Sequence, residues 1–386
     1  MADGYMDNAA GTRLLDDVYQ EMLPYMTENY GNPSSIHTYG GAPRQALDTA
    51  RARIAGLIGA QPADIYFCSC GSEANNLAVK GTAWASMKKG KHIVVSAIEH
   101  QSVLYAARAL TRLGWEMTTV PVDSSGFVSP DDVAAAIRDD TVLVSVMHAS
   151  NEIGTIEPVG EIAAIARERN VPFHTDAIMT TGTIPVDVEE SGVDMLSVSG
   201  NMFGGPKGAA ALYIRKGVRV FSLVDGGIQE RGRRAGTENV PAIAGFGKAA
   251  EIAVERMDER IAHVSDLRDR LMAGLKDRIP SIYVNGDPKR RLPGNLHVSI
   301  EAIEGESMLF SLAAKGIMAA SGSSCADKAL KSSHVLSAIG VDPALANASI
   351  LFSLWADNTT EEVDRVLDEL PAIVERLRSM SPLWST

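Results

Sequence analysis

The feature that most constrains this chain is an alternation of short apolar runs with amphipathic helical stretches between residues 65 and 214. Apolar runs fall at 65–68, 92–98, 116–122, 141–148, 172–178, 194–199 and 209–214, and helical patterns at 75–87, 102–113, 131–137 and 159–168. The run at 65–68 reads as a short buried strand and that at 141–148 as a long apolar one. Strands joined through helices make right-handed crossovers, so the pattern predicts a mainly parallel, doubly wound sheet. The expected class is α/β, with a large domain on a seven-stranded, mainly parallel sheet. In such sheets ligands sit outside the C-terminal ends of the strands.

After Pro241 the pattern changes. A long helical stretch at 243–275 leads to strands near 281–284, 295–300, 317–320 and 350–355, with helices near 306–314 and 361–378. This reads as a smaller α+β domain. The predicted division is 15–260 for the large domain and 1–14 with 261–386 for the small one.

Composition excludes several classes. Of the 386 residues, 45% are hydrophobic, which excludes disorder for the bulk of the chain. The formal charge of −12 argues against nucleic acid as a partner. No apolar run approaches the roughly 18 residues of a membrane span. Met1-Ala2-Asp3-Gly4 shows neither the basic nor the apolar region of a secretory signal. Three cysteines are too few for a disulfide framework. A cytoplasmic location is expected.

The strand exits carry the candidate chemistry. Cys68-Ser69-Cys70-Gly71-Ser72-Glu73 ends one strand and opens a helix. Its free N–H groups and hydroxyl suit a phosphate, and its small residues equally suit an ordinary capped turn. His100 follows the next strand, either as a ring that stacks on a cofactor or as a hydrogen-bonded residue of the wall. Asn151 is a side-chain donor or a turn former. Asp176 could hold a ring N–H, and if buried needs a partner in any case. Residues 199–208 form a Gly/Pro-rich turn. Residues 321–327 form a small-residue loop bearing Cys325.

In order and spacing this set resembles the cysteine desulfurases of the NifS/IscS type. These are homodimeric, pyridoxal-phosphate (PLP) dependent members of the class V aminotransferases, with the fold-type-I architecture. The close matches are Met6-Asp7-Asn8-Ala9-Ala10, Gly31-Asn32-Pro33-Ser34-Ser35-Ile36-His37, Ala74-Asn75-Asn76-Leu77-Ala78, Asn151-Glu152-Ile153-Gly154 and Ala235-Gly236-Thr237-Glu238-Asn239. The resemblance implies that His100 stacks on PLP, Asp176 pairs with its ring nitrogen and Asn151 reaches its hydroxyl side. It implies that Gly71, Ser72 and Ser199 hold the phosphate, with Thr237 arriving from the other subunit. It makes Cys325 the thiol that carries sulfur as a persulfide, for an acceptor resembling the IscU scaffold.

Three departures stand against that pattern. The family's Schiff-base lysine is replaced by Met202 in Ser199-Gly200-Asn201-Met202. A thioether neither forms an aldimine nor moves a proton. Met179 stands in place of a ring-hydroxyl donor. Ala356 stands where the family has the arginine that clamps the substrate carboxylate, a bidentate role no neighbour replaces. Conventional Schiff-base chemistry is therefore not expected, although a noncovalent-PLP enzyme with an altered substrate, or an inactive dimeric regulator of a desulfurase, fits the same losses. The sequence also gains Cys68 and Cys70. Two apart at a strand end, they are expected to point to one side. With Cys325 they would form a soft ligand set for a metal or an iron–sulfur cluster, or else simply pack the sheet.

Overall fold

The computed structural model describes residues 4–321, 333–382 and 384. Among these are twelve strands: β1 (Gly4–Tyr5), β2 (Ile65–Cys68), β3 (His92–Ser96), β4 (Glu116–Val120), β5 (Thr141–Ser145), β6 (Phe173–Asp176), β7 (Met195–Ser199), β8 (Ala210–Ile214), β9 (Ile282–Val284), β10 (Asn295–Ile300), β11 (Ile317–Met318) and β12 (Ser349–Ser353).

Strands β2 to β8 make one seven-stranded sheet in the order β2-β8-β7-β6-β5-β3-β4. Strand β8 runs antiparallel to both β2 and β7, and the remaining pairings are parallel. Strands β2, β3, β5, β6, β7 and β8 are buried along their whole length. That burial is why they read as continuous apolar runs. The chain steps from β3 outward to β4, then returns to the other side of β3 with β5. This reversal leaves a crevice beyond the strand ends.

Several strands stop earlier than the apolar runs. Strand β3 ends at Ser96, β5 at Ser145 and β6 at Asp176. Beyond them the apolar residues leave the ladder and form the walls of the crevice. Isolated bonds persist there, with Val146 N donating to His174 O (3.1 Å) and His148 N to Asp176 O (2.9 Å).

Helices cover both faces of the sheet. One apolar core joins Gly41–Leu57, Val159–Glu168 and the first part of Val240–Arg278 to one face. The other face packs against the 71–85 segment and Gln101–Thr111. The former begins as a helix at Gly71–Asn76 and passes through a π-type turn at Leu77–Gly81. The helices Asp16–Met22 and Gly41–Leu57 have no counterpart in the sequence-based expectation.

The 39-residue helix Val240–Arg278 spans two cores. Ile243 and Phe246 lie in the sheet core, and Leu267 and Leu271 lie in a second core with β10 and β12. That second core closes on the antiparallel set β12-β10-β9 and the helix Thr360–Ser379. The N-terminal segment belongs beside it: β1 pairs with β11, and Met6 is fully buried there.

Candidate functional site

A cavity of about 300 Å³ opens at the ends of the parallel strands. Six residues expected to bind a cofactor line this one space: Gly71, Ser72, His100, Asn151, Asp176 and Ser199. Gly71 and Ser72 follow β2, His100 follows β3, and Asn151 follows β5. Asp176 closes β6, and Ser199 closes β7. Each arrives at a strand exit, so the sheet topology gathers side chains from a span of 129 residues of sequence.

At the back lies a connected polar chain. Asn75 Nδ2 donates to Asp176 Oδ2 (2.7 Å) and to Ser102 Oγ (2.8 Å). The Ser102 hydroxyl lies 2.7 Å from His100 Nδ1, and Ser102 N donates to the same nitrogen (3.2 Å). Nδ1 therefore accepts, and in the neutral ring the proton sits on Nε2. Ile178 N donates to Asp176 Oδ1 (3.0 Å). Burial raises the Asp176 carboxyl pKa; the His100 charge and the bonds from Ile178 and Asn75 act against it. Asn75 is fully buried. It holds the carboxylate and the imidazole in register, a role not foreseen from sequence because a helical Asn carries no signal by itself.

Buried carboxyls stand behind this wall. Glu99 Oε1 accepts from Ser96 Oγ (2.6 Å) and Met147 N (2.7 Å), while its Oε2 is buried without a partner. Burial pushes its pKa up to about 8. Glu152, bonded by Ser333 Oγ, is pushed up to about 7 by burial.

The front of the pocket departs from a lysine-bearing one. Met202 lines it, as do Met147, Met179, Ile178 and Leu351. Among the described residues, no lysine or arginine lines it. Lys207 is exposed and outside the cavity. The Ser199 hydroxyl donates to Asn201 Oδ1 (2.7 Å), and Asn201 Nδ2 approaches Met202 Sδ (3.9 Å). Asp7, Ala9 and Ala10 complete the wall from the N-terminal segment.

The two described thiols do not share a space, which corrects the same-side expectation. Cys70 is exposed and lines the main cavity. Cys68 is 5% exposed and packs in the apolar layer, touching a neighbouring cavity of about 180 Å³. The period-two rule fails because β2 ends at Cys68 and the chain turns before Cys70. Burial, joined by the Glu73 and Glu230 charges, pushes the Cys68 thiol well above its ordinary value. Cys325 lies outside the described residues. Among the described residues, no group of three or more His, Cys, Asp or Glu side chains is placed to hold a metal ion. Thr237 lines the smaller cavity beside Cys68.

Comparison with known proteins accords with this geometry. The aminotransferase class-V pattern matches residues 4–366. A cysteine desulfurase IscS of Methanosarcina thermophila is 52% identical over 379 residues, covering 98% of this chain and 94% of that protein. The chain belongs to the cysteine desulfurases. A solved NifS-like protein matches the cysteine desulfurase fold seen here with a TM-score of 0.91 at 38% identity, covering 97% of this chain and 100% of that one. A NifS-like protein from Rickettsia africae matches at 0.87 and 28% identity, covering 97% and 99%. The cysteine desulfurases and their class V relatives use PLP. Sulfur transfer is the chemistry of this family.

Proposed function

We propose that this chain is a sulfur-transfer member of the cysteine desulfurases that works without an aldimine to the protein. Cys325 carries the sulfur in this reading. The observation that carries it is Met202 on the wall of a pocket that, among the described residues, no lysine lines.

The residues present fit PLP at its ring and phosphate ends. Asp176 and Asn151 suit the ring nitrogen and hydroxyl, His100 the ring face, and Gly71, Ser72 and Ser199 the phosphate. A Cβ at Gly71 would meet Ile178 Cδ1 at 2.2 Å, so a larger residue there would displace the Ile178 side chain that lines the pocket. When bound, PLP supplies an electron sink. This chain's own residues bind and orient: Asn75 holds Asp176 and, through Ser102, His100. Met202 and its apolar neighbours exclude water. None of the described lining residues is an amine able to take a proton from a substrate carbon.

The acceptor is a sulfur- or iron-handling scaffold of the IscU class. Iron ligation by Cys325 with Cys68 and Cys70 is the competing use of these thiols. The buried, protonated Cys68 speaks against its joining such a set. A homodimer, with Thr237 completing the partner's pocket, belongs to the same reading. So does a division into 15–260 and 1–14 with 261–386, since the 240–278 helix crosses from one core to the other. Among the described residues no helix is long and apolar enough to cross a membrane. A cytoplasmic site, where thiols stay reduced, suits a persulfide carrier.

The test is borohydride reduction after incubation with PLP, read by intact mass. The wild-type chain should gain no pyridoxyl group, and Met202→Lys should gain one. Fixation of PLP to the wild-type chain would overturn the reading. In parallel, a persulfide donor should load cyanide-labile sulfur onto Cys70→Ser and not onto Cys70→Ser with Cys325→Ser.

A further inference from the structure

Asn151 reaches the cavity from a turn that follows β5, and that turn is held from outside its own sheet. Its carbonyls at Asn151, Glu152, Ile153 and Gly154 all accept from the segment 291–295. Asn295 Nδ2 donates to Asn151 O (3.4 Å) and Glu152 O (3.0 Å). Arg291 Nη2 donates to Ile153 O (3.0 Å), and Leu292 N to Gly154 O (2.9 Å). The fit is close: Gly154 sits at φ +78°, and an added Cβ would fall 2.5 Å from Asn295 Oδ1.

Asn295 is itself fixed. Its Oδ1 accepts from Arg291 Nη2 (3.0 Å), which leaves Nδ2 to face the two carbonyls. Arg291 Nε donates to Asn295 O (3.0 Å). Both side chains are 4% exposed. Among the described residues, every hydrogen bond of the Arg291 guanidinium goes to an amide oxygen, and its Nη1 is buried without a partner. A buried charge is costly to hold in this way. Its bonds tie the turn to the hairpin between β9 and β10.

We infer that Asn295, locked by Arg291, is the positioning residue for Asn151. It fixes the backbone of the turn, and so the direction from which the Asn151 side chain meets a group bound in the pocket. This deepens the reading of the pocket as a PLP site and rests on it for its use.

The experiment is spectrophotometric titration of the full chain with PLP and with its 3-O-methyl ether, which differ at the ring hydroxyl. The wild type should prefer PLP several-fold, the scale of one hydrogen bond. Asn295→Asp keeps the side chain's size and gives Arg291 a carboxylate, but turns an acceptor toward the two carbonyls. Tm should therefore hold or rise while the preference for PLP falls several-fold, a combination that a merely structural role would not produce. Asn151→Ala should lower the preference equally, and the double variant no further. Asn295→Ser, which fits the same space, should lower it in the same direction. A preference unchanged by both Asn295 variants, or a further fall in the double variant, would overturn the inference. Hydrogen exchange of the ligand-free chain separates the two readings. The 150–156 segment should exchange faster in Asn295→Asp, with 195–199 unchanged. A wild type that binds neither compound would sink the PLP reading, and unchanged exchange at 150–156 would sink the positioning role.

Discussion

Glu99 shows how a single residue ties the site to pH. Its pKa is pushed to about 8 by burial, so the folded chain keeps a proton that the unfolded chain releases above about 4.5. Its contribution is full below about pH 4.5 and is lost as pH rises through about 8. Glu157, pushed to about 8, and Glu152, to about 7, act in the same direction. His148, lowered to about 4, and His174, to about 3, act oppositely and cost stability as pH falls below about 6.5. Glu99→Gln should therefore flatten the decline of Tm between about pH 5 and pH 8, by on the order of 1 kcal/mol per pH unit at most. A Tm–pH slope identical to that of the wild type would show that Glu99 is ionised throughout. The thiols give a second test at this scale. Cys70 should react with a small alkylating reagent in the native chain, and Cys68 only after unfolding, as read by peptide mass mapping. Asp176, His100, Ser72 and Ser199 were legible as lining residues because each falls at a strand exit and the resemblance singles them out. Asn75 and Asp7 were not, because one acts through its neighbours and the other is brought in from the N-terminal segment.

Among the elements, the helix Val240–Arg278 carries the most weight. Its Gly247 lies so near the helix Gly41–Leu57 that an added Cβ would fall 2.5 Å from Ala50 Cα. The neighbour is backbone, so relief requires the two helices to separate. Gly247→Ala should lower stability by about 1–3 kcal/mol in urea unfolding, with pocket ligand binding little changed. No loss would mean the helices separate freely. A second device pins β2: Glu230 accepts from Arg51 at 2.7 and 2.8 Å and from Phe67 N at 2.8 Å. This buried pair holds the 229–232 segment against the strand that leads to Cys68 and Cys70. Helix periods were readable where one face is buried, as at Val159–Glu168, which was placed to the residue. Strand ends were readable at 65–68 and 295–300, which match β2 and β10 to the residue, and not at β3, β5 and β6, whose apolar runs continue past the ladder. An apolar residue looks the same whether it is in a ladder or lines a crevice.

For the whole molecule the question is assembly. Ile36, Ile228 and Tyr30 are 101%, 89% and 68% exposed, apolar side chains that an interface would cover. A homodimer burying them should appear in light scattering at twice the chain mass of 41.1 kDa. Ile36→Asp with Ile228→Asp should shift it toward the monomer. A monomeric wild type at micromolar concentration would end the expectation that Thr237 serves a partner's pocket.

The order of apolar runs and helical periods determined the doubly wound sheet. The order of strand-exit residues determined the family, because both are carried by local spacing along the chain. Met202 and Ala356 were likewise read from sequence, as the positions where the resemblance expects an amine and an arginine. Only the tertiary structure decided which side chains share one cavity. It separated Cys68 from Cys70 by ending a strand between them, and it joined Asp176 to His100 through Asn75 and Ser102. It also set Asp7 in one wall with Cys70, 63 residues along the chain, and with Leu351 near the other end. Such relations depend on where strands stop and how helices cross. Those outcomes are fixed by packing across the whole core rather than by any local preference.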